Sequence, residues 1–363
     1  MKMNRNPAPR AILGTLLLLI STCASAQQPT SVGDENKGKW SNFTEAFNKA
    51  SGKSDFRLTL AVDRASGKLF VSQWFTGVWM SSDKAESFSR ADGGKISAGG
   101  PFSCYAMLAD PEGGRLAVFN MNNKPGPSGY SLDGGKTWES FAPVGRNWDY
   151  GAIDWESKAV LAFRHEDNGV HFSPDLGKTW SQLDLKRGEL FGLGIFGARE
   201  LVISNWQSIQ RSADGGKTWA TVAPYPCTGT VQIYKGTGYW LSNKWMREEK
   251  RWSASLLMSN DKGKTWQESG KPLQGTMFCS GPFFGKDERQ LFVATLKGIV
   301  ESIDGGATWR TVADYPADAP PFGDHKNGCG FPSLGFDPAG NVFYVFLPNV
   351  KKWPDGQLYK YVR

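Results

Sequence analysis

Short runs of apolar side chains recur along the chain, each four to six residues long and closed by glycine or a charged residue. They include KLFVSQW from Lys68, GRLAVFNM from Gly114, KAVLAFR from Lys158, RELVISN from Arg199 and RQLFVATL from Arg289. The runs are rich in β-branched and aromatic residues and show no helical period, so they predict strands separated by tight turns. An all-β protein follows.

A second pattern is locked to the first. The frame Ser-x-Asp-x-Gly-x-Thr-Trp appears as SLDGGKTW from Ser131, SPDLGKTW from Ser173, SADGGKTW from Ser212, SNDKGKTW from Ser259 and SIDGGATW from Ser302. A degraded copy, SSDKAESF from Ser81, carries Ala85 in place of the glycine and Phe88 in place of the tryptophan. The aspartates Asp83, Asp133, Asp175, Asp214, Asp261 and Asp304 are separated by 50, 42, 39, 47 and 43 residues. A period of this size without helices marks a β-propeller or a related array. The aspartate can accept from the backbone amides of the turn, the glycine can take positive φ, and the tryptophan offers a large apolar surface to the strand that follows. Each unit then reads as two inner strands, a third ending at the frame, and an outer fourth.

These frames resemble the Asp-box, or bacterial-neuraminidase-repeat, superfamily of propellers. It includes sialidases, xyloglucan-hydrolysing enzymes, sortilin-type receptors and photosystem assembly factors. The resemblance covers nearly all of the chain after its first segment. It implies a box on the turn between the third and fourth strands, at the rim and away from the ligand face, which makes the six aspartates scaffold. Seven four-stranded antiparallel blades are expected, with six as the alternative. The chain ends in GQLYKYVR with no box after it, and KWSNFTEAF from Lys39 matches the segment that follows a box elsewhere. Pairing of residues 39–47 with 358–363 would therefore close the ring and remove its open edges.

Residues 1–26 read as a signal peptide: Lys2, Arg5 and Arg10, then ILGTLLLLI from Ile12, then Ala24-Ser25-Ala26. The apolar run is too short to span a bilayer, which needs roughly 20 residues. Cys23 raises a lipoprotein alternative. Export to the periplasm or beyond is expected, with residues 27–363 forming one domain. Removing the signal leaves 39 basic against 35 acidic side chains, a mild net charge of +4. That spread charge does not indicate nucleic acid as a partner. Cys104, Cys227, Cys279 and Cys329 remain, with three pairings open and Cys279 with Cys329 favoured because both begin inner strands of consecutive blades.

Candidate chemistry falls on loops that lead into inner strands or join second to third strands. Trp74, Trp148, Trp206, Trp245 and Trp353 lie there and would suit stacking on sugar rings, or else fill the channel and blade interfaces. His165 and His325 lie beside acids, in Arg164-His165-Glu166-Asp167 and Asp324-His325-Lys326, a setting suited to proton transfer. A glycoside hydrolase would draw two carboxylates from Asp149, Glu166, Asp167, Glu248, Glu249 and Asp324. A uronate lyase would use Arg164, His165 and Tyr150, and Arg247 is a further ligand-binding candidate. Phe56-Arg57 matches the Phe-Arg pair of the sialidase arginine motif, but Leu58-Thr59 departs from it and no arginine triad can be assembled. Sialidase chemistry is therefore not implied. No metal or cofactor is expected, since HExxH, paired cysteine ligands, calcium loops and phosphate loops are missing from the sequence. Two readings stay open: a carbohydrate-binding or carbohydrate-processing propeller, and a non-catalytic scaffold for an envelope or membrane complex. Each is expected as a monomer with no stable membrane span.

Overall fold

The computed structural model describes residues 38–363 apart from 55–56, 97–102, 121–127, 143–147, 165–168, 186–189, 206, 247, 249–250, 275–279, 322–331, 350 and 353–354. The apolar runs become central strands because both of their faces are covered. Residues 69–73 and 159–163 are buried along their whole length, which a strand achieves only when sheets lie on either side of it. The strands form seven antiparallel sheets in a ring. Their inner strands are Leu58–Asp63, Met107–Ala109, Tyr150–Asp154, Leu190–Ile195, Gln232–Tyr234, Ser280–Phe284 and Ser333–Asp337, and these define blades 1 to 7. Seven clusters of buried side chains fill the seven spaces between neighbouring blades.

Each box closes the turn between third and fourth strands. In Ser212–Trp219, Asp214 Oδ1 accepts from the Ser212 hydroxyl (2.7 Å) and the amides of Lys217 and Thr218 (3.0 and 2.9 Å), and its Oδ2 accepts from the Thr218 hydroxyl (2.6 Å). Ser212 Oγ in turn accepts from the Gly216 amide at 2.8 Å. Two consecutive residues of every box take positive φ, such as Gly134 (70°) and Gly135 (80°). The second of them is glycine for two reasons. Besides its φ, a Cβ on Gly135 would lie 2.3 Å from the Phe70 ring of the preceding blade. Box tryptophans such as Trp138 and Trp309 are buried between blades, immediately before the outer strand rather than as its first residue.

The degraded copy keeps the same turn. The Ala85 amide donates to Ser81 Oγ (2.9 Å), and Ser87 replaces the threonine by donating its amide (3.0 Å) and hydroxyl (2.5 Å) to Asp83. Lys84 and Ala85 hold φ of 59° and 64°, so the hydrogen bonds impose the turn even without glycine.

Blade 7 is closed by the N-terminal strand Lys39–Asn42, which pairs antiparallel with residues 359–362. The closing strand is shorter than the expected pairing of residues 39–47. From Thr44 to Ser51 the chain is an α-helix, the apolar positions of which turn Phe47 inward. Phe43 and Phe47 are buried against Tyr344 and Leu358 of blade 7 and Leu58 and Val71 of blade 1. Two phenylalanines thus wedge the joint that a longer strand would only have hydrogen-bonded. A charge cluster around one buried carboxylate ties the other terminus down: Glu301 of blade 6 accepts from the partly exposed Arg363 (2.8 and 2.9 Å) and Arg310 (2.7 Å) and from Gln290 (2.7 Å). Burial raises the Glu301 carboxyl, yet the hydrogen bonds from Arg363, Gln290 and Arg310 outweigh it and hold its pKa below the ordinary value.

Blade 4 contains one element that the repeat does not announce. Gly229–Thr230 pairs parallel with the inner strand of blade 4, so that sheet has five strands. The segment lies inside the ring, where the Thr230 hydroxyl donates to the Gly151 carbonyl of blade 3 (2.9 Å). Only glycine fits at 229, because φ is 71° and a Cβ would meet the Tyr105 ring of blade 2 at 2.3 Å.

Candidate functional site

Antiparallel pairing divides the turns between two faces. The boxes and the turns from first to second strand share one end of every blade. The turns from second to third strand, and the connections between blades, share the other. The six aspartates therefore lie on a box face, opposite the loop face where the candidate chemistry was sought.

On the loop face the candidates of blade 3 come together at one end of the sheet. The Asp149 amide donates to the Phe163 carbonyl (2.9 Å), Tyr150 pairs with Phe163, and Arg164 follows as the end of the second strand, opposite Gly169. Asp149 and Tyr150 are both buried, and the tyrosine ring lies 5.3 Å from that of Phe163. Burial raises the Tyr150 phenol far above its ordinary pKa and the Asp149 charge raises it further. A phenolate base would need the opposite shift.

The tryptophans divide in the same way. Trp148 stacks on Trp180 (4.9 Å) with its edge against His171 (5.0 Å), buried between blades 2 and 3, which is the blade-interface alternative of its two readings. Trp74 is half-buried in the loop between the second and third strands of blade 1. The Arg57 guanidinium lies 3.7 Å from its ring centroid, and Phe75 meets it edge-on at 5.2 Å. Trp245 is on the strand Thr237–Met246, opposite Trp252, and Glu248 is exposed in the turn beyond it. His165, Glu166, Asp167, Trp206, Arg247, Glu249, Asp324, His325 and Trp353 lie outside the described residues, as do Cys279 and Cys329. Cys104 and Cys227 are free thiols, and burial pushes both above the ordinary range.

One residue that sequence reasoning passed over stands out beside Trp74. Phe75 has half of its surface (51%) exposed and a φ of 61°. It occupies the middle of a three-residue hairpin loop between the paired Gln73 and Gly77. Around it the loop is fixed: the Thr76 hydroxyl donates to Gln73 Oε1 (2.8 Å) and accepts from the Trp79 indole (2.9 Å), and the Trp74 amide donates to the Arg57 carbonyl (3.1 Å). The Lys53 ammonium lies 5.4 Å from the Phe75 ring centroid. The legible signal was a loop, Trp74-Phe75-Thr76, with no glycine or asparagine where hairpin loops of this length favour one.

The box-face side of the channel holds a hollow of about 190 Å³ bordered by Asp110, Arg115, Asp154, Trp155, Gln232 and Lys262. Its carboxylates serve local turns: Asp110 accepts from the Glu112 amide (3.0 Å) and from Arg115, and Asp154 accepts from Ser157. Among the described residues no three His, Cys, Asp or Glu side chains gather to hold a metal, and no helix is long and apolar enough to cross a membrane.

The profile of the BNR/Asp-box repeat family matches residues 130–140, the box of blade 2 with its flanks. That match falls on one of six boxes whose geometry repeats from blade to blade around the ring. The chain is a seven-bladed β-propeller that carries Asp-box repeats. No curated protein sequence matches it. Among solved structures it is similar to YCF48 bound to D1 peptide, at 14% identity and a TM-score of 0.51 over 93% of this chain and 98% of that one. It is similar to U3-55K at 11% identity and a TM-score of 0.50, over 84% of this chain and 94% of that one. A GH74 enzyme from Niastella koreensis matches at 13% identity and a TM-score of 0.38, over 80% of this chain and 53% of that one. At such identities the first two show fold alone, and the third carries no argument.

Proposed function

We propose that this propeller is an exported, non-catalytic binding protein that holds a segment of another protein on its loop face. One observation carries the reading. Of the described loop-face groups, the acid–base candidates Asp149 and Tyr150 are buried in blade 3, whereas blades 1 and 7 expose mainly aromatic and cationic groups, Phe75, Lys53, Lys351 and Lys352 with Asp355 among them, and Glu248 is exposed apart from these on blade 5. An exposed aromatic suits protein recognition, since aromatic residues are enriched at interfaces, and cations beside it select a partner of complementary charge. A solved propeller of similar fold is bound to a peptide, which supports the reading without deciding it.

The carbohydrate reading retains one observation, the convergence of Asp149, Tyr150 and Arg164 at one end of blade 3. Incubation with a panel of neutral and uronate polysaccharides distinguishes the two. The binding reading predicts neither new reducing ends nor absorbance of unsaturated uronates. Turnover that disappears in Arg164→Ala, with the fold intact, would replace it by catalysis.

A further inference from the structure

Eight described residues other than glycine hold a positive φ: Phe75, Lys84, Ala85, Lys158, Leu176, Lys235, Lys262 and Asn341. Seven of them lie on the box face. Lys84, Ala85, Leu176 and Lys262 are box residues, and Lys158, Lys235 and Asn341 complete turns from first to second strand. Phe75 alone lies on the loop face. It is also the one aromatic among the exposed large apolar residues described, the others being Leu132, Ile303 and Val362.

A β-branched, aromatic or otherwise bulky residue rarely takes this backbone region, and glycine at the same place would remove the strain. The strain persists because neighbouring hydrogen bonds determine the loop on both sides of Phe75. Its product is a ring held out in water at a fixed position. Strain of this kind collects where a protein binds or switches. The surroundings indicate what the ring would meet. Lys53 lies over it and Arg57 over its neighbour Trp74, while the corresponding loop of the adjacent blade 7 exposes Lys351 and Lys352 together with one acid, Asp355, so cations outnumber carboxylates. Lys53, Lys351 and Lys352 pair with no carboxylate among the described residues. Carboxylates placed beside an apolar side chain would complement this surface in charge and in contact area.

We infer that Phe75, raised on its strained loop beside Lys53 and on the face it shares with the lysines of the adjacent blade 7, anchors an acidic partner segment that lays an aromatic or aliphatic side chain on the ring. The inference rests on the protein-binding reading above and goes further in naming the anchor and the chemistry of the segment. The test selects a displayed library of random twelve-residue peptides on the immobilised protein, then measures affinity for Phe75→Gly, Lys53→Ala and a Lys351→Ala/Lys352→Ala pair alongside melting temperature. The expected outcome is enrichment of peptides that combine Asp or Glu with Phe, Trp, Leu or Ile. Their affinity should fall at least tenfold in Phe75→Gly and should weaken with added salt and with each lysine change. Phe75→Gly should melt no lower than the parent, since it removes an exposed ring and relieves the loop.

Enriched peptides that are neutral or basic, or that bind Phe75→Gly as well as the parent, overturn this inference and leave protein binding standing. A clear drop in the melting temperature of Phe75→Gly also overturns it, because the ring would then serve the fold. If no peptide is enriched, the protein-binding reading itself fails and the anchor fails with it.

Discussion

The same backbone conformation occurs at Gly135 and at Phe75, on opposite faces of one ring. At Gly135 the left-handed φ of 80° is relaxed, the amide donates to Ser131 Oγ (2.9 Å), and the missing side chain leaves room for Phe70. At Phe75 a φ of 61° is imposed on a large ring that stays half in water. The box face uses the conformation to close turns and bring blades together. The loop face uses it to present a side chain. On the proposed reading, stability and recognition are divided between the two ends of the blades, so changes on one face should leave the other's property intact.

The largest effect is expected at the joint that closes the ring. Removing the residues before Ser51 strips the fourth strand of blade 7 and takes out Phe43 and Phe47, each comparable to a buried Phe→Ala change of about 3–5 kcal/mol. Calorimetry should show loss of the single cooperative transition, and a truncated chain that melts like its parent would break the closure account. Glu301→Ala removes the buried acceptor of Arg310 and Arg363 and, because both arginines reach solvent, should cost about 1–3 kcal/mol in urea unfolding. The depressed Glu301 pKa sets the sign of its pH dependence. Its contribution is present above the ordinary glutamate range and is lost as the pH falls through the native value.

Gly135→Ala sharpens the comparison itself. A left-handed alanine costs about 1–2 kcal/mol, and displacement of Phe70 adds about 1–3 kcal/mol. Ala85→Gly, at the equivalent place in the degraded box, should be neutral or stabilising by urea denaturation. The box carboxylates give a smaller, pH-dependent effect. Hydrogen bonds from Ser87 lead in bringing Asp83 to a pKa of about 2; at Asp133 burial raises the value, but Thr137 and Ser131 outweigh it and leave it also at about 2. Both lie below their ordinary 3.8, so their support is full above that value and disappears as the pH falls toward 2. Melting temperatures followed from pH 5 to 2 (~ range set by these shifts) should decline less steeply in Asp133→Asn. The smallest effect belongs to the loop face: Lys351→Ala with Lys352→Ala should change unfolding by no more than about 0.5 kcal/mol for each residue.

The repeat made the ring legible because each element of the box has a local physical cause. Ser212, Asp214, Gly216 and Thr218 act within a span of seven residues, so their spacing alone reports their contacts. The seventh blade was readable from the unmatched strands at the two termini, although the helix at Thr44–Ser51 was not, since Phe47 is buried by residues of blade 1 that are distant in sequence from blade 7. Gly229–Thr230 escaped for a similar reason, its partners being Leu193, Gly151 and Tyr105. Functional positions were harder. Trp74 and Trp148 look alike in sequence, yet one is half-buried under Arg57 and the other stacks on Trp180, and only the packing of neighbouring blades separates them. Phe75 is an ordinary residue in the sequence and becomes distinctive through its φ.

The division of labour between the faces is tested most directly by amide hydrogen exchange of the protein with and without a selected peptide. The account predicts that bound peptide slows exchange at residues 73–77 and at Lys351 and Lys352 while the box amides at 134–137, 215–218 and 262–265 exchange as before. Protection concentrated on the box amides, with residues 73–77 unchanged, would contradict it and place recognition on the repeated face.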